Sequence, residues 1–329
     1  MKFDIAQQPF VPAFLTLAVL VVVALLRSTI PAAALPVDDA LPTWLPAETL
    51  LKFQTAFPRW ATTICGLSLL ITGIRTGHFA VRYNLYSVNT CIAIPFYGIV
   101  ACGAIAGTVD LTACLCSLLL AFSISNFCRA FTPNYAFNIL FRASLYLGAA
   151  VILVPQTAPL LLLLPLAVVH FHRTVRETIV ALAGLLLAPL TLCYINWGMG
   201  APFHAPLLAL GKQLTGSGPF FALIDEIPLP TRFLLGALLV CLLFGFYFLF
   251  SSRLAVNSKP RVILYYNMEA LLLSAAVLCL PGASLPLFSL TAVPAAVLLP
   301  LFFVRAYSSA GRAIYAILLA GVLLNILFQ

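Results

Sequence analysis

Long apolar runs separated by short polar breaks make up almost the whole of this chain. A helix needs about 20 apolar residues to cross the hydrocarbon core of a bilayer. The runs do not alternate as barrel strands do, so helices are the predicted spanning element. The candidate spans are approximately 10–30, 56–74, 88–108, 110–128, 136–154, 157–171, 178–197, 231–251, 263–280, 284–303 and 313–328. The predicted fold is all-α: a polytopic transmembrane helix bundle of about 11 spans in one integral membrane domain, 1–329, without a soluble domain.

Composition supports a lipid environment. The chain is 63% hydrophobic and only 8% charged, with a mean hydropathy of +1.11. Soluble proteins carry roughly 25% charged residues, because their surface has to be covered by polar groups. Soluble enzymes, nucleic-acid-binding domains and disordered chains are therefore excluded, and the lipid bilayer is the first expected partner.

The basic residues predict the orientation. With the N-terminus in the cytoplasm, twelve Lys and Arg side chains lie on the cytoplasmic side and five outside. Such an excess is typical of cytoplasmic loops, so the prediction is N-in and C-out. A cleavable signal peptide ending near Ala32-Ala33-Ala34 is the alternative for the N-terminus. Because the run from Phe10 to Leu26 is long for such a peptide, a retained first span is expected.

Two connections are long, and both are predicted to be external: about 31–55 and 198–230. Apolar residues from Ala47 to Phe57 recur at helical spacing, which predicts a short helix on the membrane surface. The PLLALGKQL stretch of the second loop predicts another. Three tryptophans near external span ends are typical of an interfacial aromatic belt: Trp44, Trp60 and Trp197.

Glu269 is the only acid inside a predicted span, and Arg142 lies at a similar depth in the fifth span. A charged group in lipid is costly, by about 2.5–3.5 kcal/mol on insertion scales. Two interpretations stay open. Either Glu269 and Arg142 form a structural ion pair, or Glu269 is a protonatable relay of a transporter.

A basic turn follows the sixth predicted span. His172, Arg173 and Arg176 are expected to meet phospholipid headgroups or an anionic substrate at the inner surface, or simply to be solvated. His170 and His172 are two residues apart, so they face different directions on a helix and cannot share a metal ion. The nine cysteines have no metal-site spacing and are expected to pack between helices; no metal site is predicted from them.

Acids gather in the two external loops. Asp38 and Asp39 follow the first span, and the second loop contains Asp225 and Glu226. Such acids can act as general bases on an acceptor hydroxyl, or hold a divalent metal against a lipid phosphate. Lys212 and Arg232, in or beside the second loop, could neutralise that phosphate. The alternative is that acids collect outside because basic residues are excluded there.

The middle of the chain resembles an uncharacterised family of polytopic membrane proteins from Bacteroidota. The resemblance rests on these residues: Phe137-Asn138, Leu147-Gly148, His172-Arg173, Arg176-Glu177, Gly184 and Pro189. It covers about a sixth of the chain closely and the rest only in span layout. It implies a cell inner membrane and carries no activity over.

The topology is similar to that of GT-C glycosyltransferases. Those enzymes begin N-in, carry an acidic motif after the first span, and in one branch have large external loops after spans one and seven. Asp38-Asp39 stands where that family has its acidic pair, although as Asp-Asp rather than the commoner Asp-Glu, and this chain's loops are short. The resemblance implies catalysis on a polyprenyl-phosphate-linked sugar at the external face, by an active enzyme or a degenerate relative.

Three functional hypotheses remain from the sequence. The first is a GT-C-like protein handling polyprenyl-phosphate-linked sugars or lipid carriers, with Asp38 and Asp39 as catalytic residues. The second is a membrane transporter or flippase that uses Glu269. The third is a non-catalytic structural subunit of an inner-membrane complex.

Overall fold

The computed structural model describes residues 9–28, 44–86, 88, 90–104, 108, 110–131, 135–214, 220–221, 223–224, 227–250, 258–305 and 308–328. These residues form helices and turns, and no strand occurs among them, which confirms the all-α prediction for this part of the chain. The helices are α1 (Phe10–Arg27), α2 (Pro46–Ala56), α3 (Pro58–Arg82), α4 (Ala93–Ala104), α5 (Leu111–Arg129), α6 (Phe137–Leu153), α7 (Leu163–His170), α8 (Val175–Gly198), α9 (Ala205–Leu214), α10 (Leu229–Phe250), α11 (Ser258–Leu278), α12 (Phe288–Leu298), α13 (Pro300–Arg305) and α14 (Ser308–Phe328). Two 3-10 segments, Pro155–Leu162 and Leu285–Leu287, lead into α7 and α12.

Within the described ranges, eight helical segments are long and apolar enough to cross a membrane. They are α1, α3, α5, α8, α10, α11, the segment Leu285–Arg305 and α14. The other three predicted spans coincide with shorter apolar stretches, Ala93–Gly103, Phe137–Leu153 and Pro155–His170. The chain therefore has the helices and composition of an integral membrane protein. The count of eleven spans and the N-in, C-out orientation stay predictions.

Burial separates central helices from outer ones. In the most apolar window of each segment, 83% of Leu285–Arg305 and 78% of α5 is buried, against 22% of α8. A helix that is apolar all round and buried belongs in the core of a bundle. The outer helices instead expose large apolar side chains such as Leu186, Tyr194 and Leu243, which suits contact with lipid.

Two glycines let α6 and α8 approach each other closely. A Cβ added at Gly148 would lie 2.6 Å from the Leu185 carbonyl oxygen. A Cβ added at Gly184 would lie 2.5 Å from the Phe141 carbonyl oxygen and 2.7 Å from Ser144 Oγ. Small residues at such positions are the usual means of packing membrane helices tightly.

One end of the bundle gathers basic side chains. There α5 and α7 end while α6, α8 and α11 begin, and three contacts tie these termini together. The Ala136 N–H donates to Glu177, Arg173 donates to the Ala130 carbonyl, and Lys259 Nζ lies 5.8 Å from the centre of the Phe131 ring. We call this region, defined by Arg129, Arg173 and Lys259, the basic end.

The other end is held by uncharged amide side chains. Its contacts are Trp44 N–H to Asn196 Oδ1 at 2.7 Å, Leu111 N–H to Gln54 Oε1 at 3.1 Å, and Gln156 Nε2 to the Gly282 carbonyl at 3.3 Å. We call this region, defined by Gln54, Gln156 and Asn196, the amide end. It connects helix termini to the segments that lead into and out of the two long loops.

Both predicted surface helices exist as helices. The expected helix Ala47–Phe57 corresponds to α2, and PLLALGKQL lies in α9. The two regions meet at the amide end, because Leu45, just before α2, and Leu210 of α9 share one apolar cluster with Ile152 and Leu192.

The second span extends further than predicted. The sequence pattern ended it at residue 74, which left Arg75 in a cytoplasmic turn, but α3 continues to Arg82. Phe79 and Ala80 are buried after the polar stretch around Arg75, and their burial extends the helix. Arg75 therefore lies inside a helix that is long and apolar enough to cross a membrane.

Candidate functional site

An imidazole–carboxylate pair joins α7 to α11. His170 Nε2 lies 2.8 Å from Glu269 Oε1 and 2.9 Å from Oε2. Glu269 lies about 16 Å along α11 from Ser258, at 1.5 Å per residue, and His170 is the last residue of α7. Both side chains are about one quarter exposed, at 25% and 26%.

Aromatic packing fixes the position of this pair. Tyr266, one turn before Glu269, is fully buried and donates its hydroxyl to the Leu163 carbonyl at 3.2 Å. Its ring packs against Phe171 at 5.3 Å between ring centres, and Phe171 directly follows His170. The hydrogen bond and the ring contact thus hold α11 against α7 on both sides of the pair.

An imidazole in direct contact with a carboxylate has the geometry for proton transfer between the two groups. When both ring nitrogens of His170 are protonated, the Nε2 proton faces both oxygens of the Glu269 carboxylate. The resulting ion pair has no net charge, which lowers the cost of holding Glu269 within a spanning helix.

Glu177 anchors a second polar network at the basic end. Its buried carboxylate accepts the Ala136 N–H at 2.8 Å, the Thr174 N–H at 3.1 Å and the Thr174 hydroxyl at 3.0 Å. Arg173 Nη1 lies 3.3 Å from the same carboxylate. Thr174 and Glu177 also form a capping box that begins α8. This network joins the start of α6 to the start of α8.

Two sequence interpretations are corrected here. Glu269 pairs with His170 and not with Arg142, which is exposed on α6 and forms no ion pair with a described residue. The reason is helix placement: α6 packs on α8 and α5, whereas α11 packs on α12 and the 3-10 segment before α7. Arg173, expected at the headgroups, is instead buried in the Glu177 network, with 8% of its side chain exposed.

The other predicted inner contacts lie on the surface of the basic end. His172 is exposed in the turn after α7, where its φ is +49°, and Arg176 is exposed in the first turn of α8. Contact of these two side chains with headgroups or an anionic substrate stays a prediction.

The predicted external site falls largely outside the described residues. Asp38, Asp39, Asp225 and Glu226 all lie there. Of the basic residues, Lys212 is exposed on α9, and Arg232 of α10 donates from Nε to the Ile227 carbonyl at 2.8 Å. The segment that follows the first acid pair contacts the end of α8, where the second long loop begins, because the Trp44 backbone and the Asn196 side chain bond in both directions, at 2.7 and 3.0 Å.

Metal-ligating clusters are absent from the described part of the chain: no group of three or more His, Cys, Asp or Glu residues comes together there. Asp38 and Asp39 are not part of that search, so a divalent metal on them stays a prediction. The nine cysteines are free thiols, and seven of them are buried among the helices.

Sequence reasoning missed two features of this region. The partner of Glu269 had no local signal, because His170 lies 99 residues away along the chain. The Glu177 network did have a local sequence signal, because the spacing Thr174-x-x-Glu177 before an apolar run is the pattern of a capping box. Comparison with protein-family models, with curated proteins and with solved structures found no match for this chain.

Proposed function

We propose that this protein is a multi-pass transporter or flippase of an inner membrane, in which His170 and Glu269 form a protonatable relay. The proposal rests on one observation: the two-oxygen contact between imidazole and carboxylate inside the helix bundle. An ionisable pair in a spanning region marks a functional site by default, because each charge is costly in lipid. Its partial exposure leaves the pair open to proton exchange.

The relay links protonation to helix contact. A proton that binds the Glu269 carboxylate while His170 stays charged gives the pair one net positive charge. That proton also occupies an oxygen that accepted a hydrogen bond, so the attraction between α7 and α11 decreases. A proton entering from one side of the membrane thereby favours separation of these helices, and its release restores their contact.

Flux in proteoliposomes tests this proposal. The probe is fluorescently labelled phosphatidylglycerol, an anionic lipid, and the measured quantity is its movement between leaflets with and without a proton gradient. We expect Glu269→Gln and His170→Gln to lower the gradient-dependent rate at least tenfold. Arg142→Gln is the matched control, because Arg142 is exposed and takes no part in the pair. A Glu269→Gln protein that moves the probe as fast as wild type contradicts the proposal.

A GT-C-like activity is the second candidate. Its support is the meeting of the two loop regions at the amide end, where Leu45 and Leu210 share a cluster. Asp38 and Asp39 precede Leu45 by only a few residues in the sequence. In this proposal the two aspartates are the catalytic residues, with or without a divalent metal, and Lys212, Asp225, Glu226 and Arg232 contact a polyprenyl-phosphate-linked substrate.

The lipid-linked glycan profile of cells that depend on this protein tests the second candidate. We expect the double variant Asp38→Asn/Asp39→Asn to abolish the glycan whose synthesis requires this protein. Glu48→Gln on neighbouring α2 should leave that glycan in place. An unchanged profile in the double variant, at equal protein level, removes the catalytic role of Asp38 and Asp39.

A further inference from the structure

Three arginines at the ends of α3 and α5 form a separate group, which we call the arginine triad: Arg75, Arg82 and Arg129. Arg75 lies seven residues before the end of α3, about 10 Å inside the helix terminus. Its guanidinium carbon lies 5.3 Å from the centre of the Phe122 ring on α5. A cation on an aromatic face is stabilised there without losing its charge.

The triad has no carboxylate to balance it among the described residues. The ion pairs in this part of the chain are His170–Glu269 and Arg173–Glu177, and neither includes a triad member. Arg129 and Arg82 are instead the charged neighbours of Arg75, and both repel it. Arg129 and Arg82 thus lie close enough to repel Arg75, and no carboxylate of the described residues pairs with any of the three.

Two of these arginines also keep unused hydrogen-bond donors. The Nε–H groups of Arg75 and Arg129 are buried and have no acceptor among the residues that the structure describes. A buried donor without a partner is destabilising, and more so when it belongs to a charged group. An anion with several acceptor oxygens can balance the excess positive charge and accept hydrogen bonds from the unused donors.

A small cavity beside Arg75 supplies further polar groups. Its lining includes Arg75, Ser125 and Asn267, and its volume is about 10 Å³, room for roughly one water molecule. Asn267 is completely buried, and its Oδ1 has no hydrogen-bond partner. A phosphate group is too large for this cavity. The triad reaches the protein surface at the end of α3, where Arg82 is exposed.

We propose that Arg75, Arg82 and Arg129 bind the phosphate group of an anionic ligand at the basic end. Planar guanidinium groups bind phosphate oxygens through paired hydrogen bonds, which a lysine ammonium cannot reproduce. The phosphate belongs either to a lipid headgroup or to a soluble phosphate, and the chemistry of the site is the same for both. The site does not use His170 or Glu269, so it can exist whether or not the proton relay operates.

Thermal unfolding of the full-length protein in neutral lipid nanodiscs tests this site. Two probes are compared: phosphatidylglycerol added to the nanodiscs, and inorganic phosphate at constant ionic strength. We expect at least one probe to raise the Tm of wild type. Arg75→Gln should lower the apparent affinity for that probe at least tenfold, and Arg75→Lys should also lower this affinity although the charge is kept. A response to the lipid alone identifies a headgroup site, and a response to phosphate identifies a soluble ligand.

Arg142→Gln is the matched control, because it removes an exposed arginine from another helix. If Arg75→Gln does not fold, Arg129→Gln at the end of α5 replaces it. The proposal is overturned if neither probe shifts the wild-type Tm, if Arg142→Gln loses as much of the shift as the triad variants, or if Arg75→Lys responds like wild type. Because only binding is measured, a failed flux experiment on Glu269 leaves this result unaffected.

Discussion

The two ends of the bundle use different chemistry for the same structural task. At the basic end, the buried Glu177 carboxylate joins the start of α6 to the start of α8 with the help of Arg173. At the amide end, Asn196 of α8 holds the Trp44 backbone without any charge. Both contacts fasten a connecting segment to a helix terminus, but only the first brings ions together.

This difference follows from where the charges are allowed. In the predicted N-in orientation the basic end is cytoplasmic, and a helix terminus there has arginine available for its polar contacts. In the same orientation the amide end is external, where the neutral amides of Asn and Gln supply both a donor and an acceptor and need no counterion. The positive-inside prediction therefore implies different chemistry for the helix junctions at the two ends.

The largest expected effect concerns the side of the membrane on which each end lies. We expect Arg176→Cys, at the basic end, to react with a membrane-impermeant maleimide only in inverted vesicles. Lys212→Cys on α9, near the amide end, should react only in intact cells or spheroplasts. Both positions are exposed, and seven of the nine native cysteines are buried, so wild type gives the background.

Labelling of both positions from one side would contradict the assignment of the two ends to opposite faces. Labelling from the reversed sides would show an N-out protein. In that case the basic end would be external, and both the relay and the loop acids would change sides.

A smaller but still large effect is expected on breaking the Glu177 network. Glu177→Ala removes the acceptor of four donors, including the carboxylate that pairs with Arg173, and breaking a buried ion pair costs about 3–5 kcal/mol. The measurement is thermal unfolding of the purified protein, with Glu48→Gln on α2 as the control. A Glu177→Ala protein as stable as the control would mean that the network contributes no stability.

The sequence was sufficient for features that depend on local pattern. Apolar runs gave the helices, and spacing gave α2 and α9, because burial in lipid requires long runs and burial at a surface requires one apolar face. The sequence was insufficient for side-chain contacts between helices, because these depend on which helices pack together. The sequence places Arg142 and Glu269 at a similar depth in their predicted spans. In the structure α6 and α11 pack mainly on other helices, and Glu269 pairs with His170.

The smallest expected effect comes from the amide end. Asn196→Ala removes the acceptor of the Trp44 N–H and the donor to the Trp44 carbonyl; both lost bonds join neutral groups, and Trp44 is only half-buried. We therefore expect a loss of only about 1–2 kcal/mol in the same unfolding measurement. Thr191→Val, at an exposed position of α8 whose hydroxyl bonds only within its own helix, is the control and should cost less. If Asn196→Ala costs as much as Glu177→Ala, the two ends do not differ in energy as their chemistry implies, and the contrast between a charged and a neutral junction loses its physical basis.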